Sequence, residues 1–146
     1  MSDSTSYKRP ESVLIVVHTP VLECLLLERV EPAGFWQSVT GSLRWNETPA
    51  EAAARELAEE TGLPPAGLLD ARIERRFAIM PSWRKRFASG VTENLEHWWY
   101  LTLPEPRAIT INRAEHARYC WLDLDAAIAL VSSWTNREAL ERLRPS

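Results

Sequence analysis

Residues 41–63 read GSLRWNETPAEAAARELAEETGL, and the spacing of their acids decides how the rest of the chain is read. Glu47, Glu56, Glu59 and Glu60 gather with Arg55 around one short helix. Thr48 suits the N-cap, Pro49 the first helical position, and Glu51 stands three residues after the cap, as a capping box requires. Gly62 suits the C-terminal stop, with Pro64 and Pro65 beyond it. At about 100° per residue, Glu56, Glu59 and Glu60 fall within an arc of roughly 100°. Ala50, Ala53, Leu57 and Thr61 form the neighbouring face, which is expected to pack on a sheet. Carboxylates crowded on one surface repel each other and persist where a cation, usually a divalent metal, sits among them. A merely solvated acidic face is the alternative. It explains neither the preceding glycine loop nor the alanine stripe.

The pattern is Gly, five residues, Glu, seven residues, Arg-Glu, an aliphatic, any residue, Glu-Glu, any residue, Gly and an aliphatic. It resembles the Nudix box with every fixed position present. The resemblance implies an α/β (α+β) domain, an α/β/α sandwich around a mixed sheet, that hydrolyses nucleoside-diphosphate-linked compounds with Mg²⁺ or Mn²⁺. It makes Glu56, Glu59 and Glu60 metal-binding candidates, gives Arg55 the task of orienting them, and gives Glu47 that of supporting the loop.

Composition sets the frame. Residues 1–146 are read as a single domain, large enough for a proper core. Hydrophobic residues at 45% and charged residues at 25% describe a soluble globular protein. Apolar runs such as 13–17 and 24–27 are too short to span a bilayer, and the opening MSDSTSYKRP lacks the apolar core of a secretory signal. Cys24 and Cys120 have no metal-ligand spacing and read as buried free thiols in a reducing cytoplasm. A net charge of −3 argues against a nucleic-acid partner. Neither a monomer nor a homodimer is singled out.

Strands are expected at residues 12–18, 23–30, 36–42, 72–80, 96–103 and 119–122, with a loop holding Pro81, Ser89 and Gly90. Two amphipathic helices, 123–132 and 136–143, follow, with Thr135 as cap of the second; a single fused helix is the alternative. Most of the tryptophans, Trp36, Trp98 and Trp121 among them, are assigned to the core or sheet faces, and Trp83 to an exposed loop. His18, His97 and His116 share no spacing and receive no catalytic role.

Outside the box, Tyr7-Lys8-Arg9-Pro10, the run FWQSVTGS from Phe35, Gly90-Val91-Thr92 with Asn94, Glu115-His116, Trp121-Leu122 and SWTNR from Ser133 follow in order along nearly the whole chain. They resemble one Nudix branch, the bacterial dihydroneopterin triphosphate pyrophosphatases of folate biosynthesis. That resemblance makes Glu56, Glu60 and Glu115 metal ligands, and Lys8, Arg29, Thr40, Pro81, Ser82, Trp83, Arg84 and Ser133 substrate contacts. The residue types suit the task. Lys8, Arg29 and Arg84 are cations for a triphosphate tail, and Thr40 and Ser133 offer directional hydrogen bonds to a flat pterin. The general base is either a box glutamate or Glu115. A Nudix enzyme for nucleotides such as dATP or an oxidised guanine nucleotide is the second reading. A non-catalytic binding module on the same scaffold is the third, disfavoured because every box acid is present.

Overall fold

In a computed structural model, which describes residues 7–145, the valine-rich run of β1 (Glu11–His18) is the central strand of a mixed sheet. Six of its eight residues are buried, as expected of a strand covered on both faces. β2 (Glu23–Arg29) and β4 (Val39–Ser42) pair antiparallel with β1 at opposite ends of it. β6 (Glu93–Thr102) runs parallel along its other side and carries the edge strand β5 (Leu69–Ala78). β3 (Trp36–Gln37) and β7 (His116–Asp123) both pair with β2. Alternation along β1 divides the core. Val13, Ile15 and Val17 meet Leu57 and the alanines of α1 (Pro49–Thr61) on one face. Leu14 and Val16 meet α2 (Leu124–Leu130) and α3 (Trp134–Glu141) on the other. Each such buried aliphatic contributes about 1.5–3 kcal/mol. Helices therefore cover both faces of a mixed sheet, as the sequence implied.

The box helix forms as its local chemistry dictates. Thr48 accepts from the Glu51 N–H, the Glu51 carboxylate accepts from the Thr48 N–H, and Gly62 closes the helix at φ +76°. That left-handed geometry is one a side chain would strain. One expectation fails here: Ala50 is exposed, and Ala52 takes its place against the sheet.

Other elements depart from the sequence reading. The expected strand 36–42 is two strands, broken at Ser38, where the backbone N–H turns to Asn136 Oδ1 at 2.7 Å instead of a neighbouring strand. The two C-terminal helices stay separate. Ser133, not Thr135, caps α3, accepting from the Asn136 N–H at 3.2 Å. Pro81–Arg86 forms a 3₁₀ turn where a plain loop was expected. Trp83 within it is half-buried instead of exposed, 5.7 Å from the Phe35 ring. Trp36 and Trp98 are buried and Trp121 is partly so, while Trp45 and Trp134 are exposed. Cys24 is buried, Cys120 is only half-buried, and both are free. No helix among the described residues is long and apolar enough to cross a membrane. The signal-free reading of the N-terminus falls largely on residues 1–6, outside the described residues.

Candidate active site

The site begins with Arg55, which holds three box glutamates at once. Its Nε and Nη2 donate to both Glu47 oxygens at 2.6 and 2.7 Å, and its Nη1 donates to Glu56 at 2.8 Å and Glu59 at 3.2 Å. Nη2 also reaches the Ser42 carbonyl at 3.0 Å, tying the helix to β4. The bidentate grip of Arg55 holds Glu47 down at about pKa 2. Glu47 in turn accepts from the Arg44 N–H, so its loop is fixed from both sides. Arg9 braces the same loop through the carbonyls of Arg44, Trp45 and Glu47, a role that the sequence did not indicate.

The acids then divide by environment. Glu56 and Glu60 are buried and Glu59 is exposed, with Arg44 3.5 Å away. Burial pushes Glu56 up to about 7, against the pull of Arg55. Glu56 lies directly over Gly41 of β4; a Cβ there would overlap its carboxyl carbon. The box glycine is thus a cradle for a carboxylate, with no turn involved.

From the far side β7 brings Glu115 and His116 to Glu60. Ligand atoms of these three side chains lie within 4.8 Å of one another. Burial opposes ionisation of Glu60, but the close His116 ring, with Glu115 and Asn112 acting in the same direction, outweighs it and keeps that carboxyl below its ordinary range. Glu115 is driven the other way, first by its hydrogen bond to Glu60 and then by burial. His116 Nε2 touches Glu60 Oε2, yet the contact is not a well-formed hydrogen bond. Glu60 Oε2 and His116 Nδ1 are both buried without a hydrogen-bond partner. Orphaned buried acceptors beside clustered oxygens are what a hard divalent cation would satisfy.

His116, to which the sequence assigned no catalytic role, is 2% exposed and packed on the acid cluster. A bulge in the β2–β7 ladder delivers it. Glu28 pairs with Arg118 but Arg29 pairs with His116, leaving Ala117 unmatched. Only its adjacency to Glu115 in the sequence hinted at this.

Of the expected substrate contacts, Lys8 and Arg29 stand beside these acids. Lys8 feels Glu115 and Glu56, and Arg29 feels Glu115 and Glu60. Thr40 is half-buried, next to Gly41. Ser133 joins the same neighbourhood through Asn136, whose Nδ2 donates to Ser133 Oγ at 2.8 Å and whose Oδ1 holds Ser38. Trp83 stacks under Arg29, 4.9 Å from its guanidinium. Pro81 and Ser82 are exposed, and Arg84 spends its Nε on the Ile79 carbonyl at 3.1 Å. Two concavities lie elsewhere. A 440 Å³ groove runs between His18, Leu69, Tyr100 and Arg142, and a 320 Å³ hollow lies around Ile109 and Tyr119.

The Nudix domain model matches residues 8–143. The chain belongs to the Nudix family. It is 43% identical over 141 residues to the dihydroneopterin triphosphate diphosphatase of Escherichia coli K12, covering 93% of each chain. Identity to the Haemophilus influenzae protein of the same name is 36%, covering 93% of this chain and 88% of that one. The structure of the E. coli dihydroneopterin triphosphate pyrophosphohydrolase superposes with a TM-score of 0.88 at 42% identity, covering 94% of this chain and 96% of the other.

Proposed function

We propose that this chain hydrolyses dihydroneopterin triphosphate to dihydroneopterin monophosphate and pyrophosphate, using Mg²⁺ or, in its place, Mn²⁺. The observation that carries the reading is the 43% identity, over 93% of both chains, to a protein named for that activity. Under this reading Glu56, Glu60 and Glu115 hold the ion, with Glu59 completing the acidic set. A bound divalent ion supplies charge that polarises a phosphoryl group and acidifies water. The chain's own residues do the rest. Lys8 and Arg29 neutralise phosphate oxygens, and Arg55 keeps the glutamates aimed. Thr40 and Ser133 offer the pterin directional hydrogen bonds. Water oxygen bonds to phosphorus as the P–O–P bridge breaks, pyrophosphate leaves with the bond's electron pair, and a carboxylate accepts the water's proton. Either a box glutamate or Glu115 takes that last task. The activity belongs to folate biosynthesis in a reducing cytoplasm, where Cys24 and Cys120 remain thiols.

The test is a panel of dihydroneopterin triphosphate, dATP and an oxidised guanine nucleotide, each with Mg²⁺. The expected outcome is the highest kcat/KM on the pterin, pyrophosphate as first product, and no turnover in excess EDTA. Preference for a nucleotide rejects the substrate. Orthophosphate as first product rejects the mechanism, and undiminished hydrolysis in EDTA rejects the metal.

A further inference from the structure

Three cations from three separate stretches of chain converge beside the acid cluster. The Lys8 N–H donates to the Arg86 carbonyl at 2.8 Å, fastening the segment before β1 to the end of the 3₁₀ turn. Arg29, at the end of β2, lies over Trp83 of that same turn and donates its Nε to the Glu31 carbonyl at 2.9 Å. Its terminal nitrogens are left for other partners. Among the described residues none of Lys8, Arg29 and Arg86 forms an ion pair, whereas Arg55, a short distance away, is paired with three glutamates. The three charges press on one another. Burial, then Arg86, then Arg29 weakens the hold of Lys8 on its proton, and burial followed by Arg86 does the same to Arg29. Mutual repulsion of this kind is costly unless an anion relieves it.

We propose that Arg86 completes a polyphosphate cradle with Lys8 and Arg29, and that Arg86, in place of Arg84, is the cation that the 3₁₀ turn gives to the substrate's phosphate tail. The geometry of the turn separates the two arginines. Arg84 spends its Nε on the Ile79 carbonyl, as Arg29 spends its own on Glu31, so what singles out Arg86 is that the backbone bond from Lys8 falls on it. Arg86 lies where the turn meets Lys8, and its charge bears on both other cations. Trp83 of the same turn contacts both Phe35 and Arg29. A divalent ion balances the acids but leaves these cations unbalanced. A chain of phosphates balances them and bridges to the ion, so the two clusters together fit a polyphosphate better than a single phosphate. The proposal rests on the triphosphate reading, but not on the pterin.

The probe is inorganic tripolyphosphate, titrated calorimetrically into the full chain in Mg²⁺ buffer. Arg86→Ala is expected to weaken binding by about tenfold or more, the loss of one charged hydrogen-bonding partner. Arg84→Ala is expected to stay within about twofold of the unaltered chain, because the bond that brings the turn to Lys8 falls at Arg86 and not at Arg84. Thermal unfolding checks both variants, and Arg86→Gln replaces the alanine variant if that one is unfolded. No binding to the unaltered chain overturns the cradle. Equal affinity in all variants, or equal loss in Arg84→Ala and Arg86→Ala, overturns the assignment to Arg86. If Arg86→Ala loses tripolyphosphate while dihydroneopterin triphosphate is not a substrate, the cradle stands and the pterin reading falls.

Discussion

Replacing Gly41 with alanine should disable the site while leaving the fold standing. The backbone of Gly41 is not left-handed, so alanine introduces no backbone strain; the obstacle is space alone. The added methyl would sit inside the Glu56 carboxyl group, and the carboxyl must retreat by about 1 Å or more to reach ordinary contact. Glu56 then gives up its 2.8 Å bond from Arg55. A charged hydrogen bond of this kind is worth about 1.5–3 kcal/mol, partly offset by the ~0.4–1 kcal/mol that Gly→Ala gains through the unfolded chain. The net loss of about 1–2 kcal/mol lowers Tm by roughly 3–8 °C in a domain of this size, and unfolding measured without metal reads it directly. Catalysis should suffer far more, because a misplacement of about 1 Å can cost on the order of 10²-fold. The assay is kcat/KM at saturating Mg²⁺ beside a metal titration of the same variant. A folded Gly41→Ala protein with normal kcat/KM and normal metal affinity would refute the argument that Gly41 exists to seat Glu56.

Two further predictions probe carboxylates that the box does not contain. Glu115→Gln keeps size and hydrogen-bonding capacity but removes charge and basicity, so kcat should fall by roughly 10²-fold or more with little change in Tm; an unchanged kcat at saturating metal and substrate sinks the assignment. Glu96 is buried under α3, accepts from Trp98 Nε1 at 3.0 Å, and is pushed by burial from 4.5 up to about 7. The folded chain therefore binds this proton more tightly than the unfolded chain, and stability is lost as pH rises from 4.5 through 7. Glu96→Gln cannot ionise, so in metal-free urea unfolding it should match the unaltered chain near pH 4.5 and exceed it at pH 8, by up to about 3 kcal/mol at 1.36 kcal/mol per unit. Parallel stability curves for the two proteins across that range would show that Glu96 titrates as an ordinary surface acid.

What could be read from sequence divides by the range of the interactions involved. The box helix was legible at both ends because Thr48, Glu51 and Gly62 act within one turn of where they stand. The inward acids were legible because a helix fixes angles between residues a few positions apart. The break at Ser38 was not, because its cause is Asn136, 98 residues along the chain. Likewise Ala50 and Ala52 both suit a small-residue face, and only the sheet's position decides between them. A choice among Arg84, Lys85 and Arg86 was not legible, because three adjacent basic residues look alike until the bond from the Lys8 N–H to the Arg86 carbonyl fixes how the turn sits.

The most consequential of these long-range facts is the bulge at Ala117. Up to Arg118 the β2–β7 ladder alternates regularly: Tyr119 and Trp121 face α1 with Leu27 and Leu25, while Cys120 and Leu122 face the opposite core. Continued without interruption, that alternation would put His116 on the side of Arg118, whose Nε bonds Glu28 at 2.6 Å and whose guanidinium lies over Trp36. The extra residue reverses it. His116 pairs with Arg29, turns toward α1 and meets Glu60, and the preceding Glu115 arrives with it, its carbonyl accepting from the Val30 N–H at 2.9 Å. A bulge leaves a residue unmatched and weakens the ladder locally, so it persists where it re-aims a side chain that matters. Here it joins a helix that presents its acids by periodicity to a strand that cannot do so by periodicity. The acids of α1 come from one element alone, and Glu115 and His116 meet them because one residue of β7 is out of step.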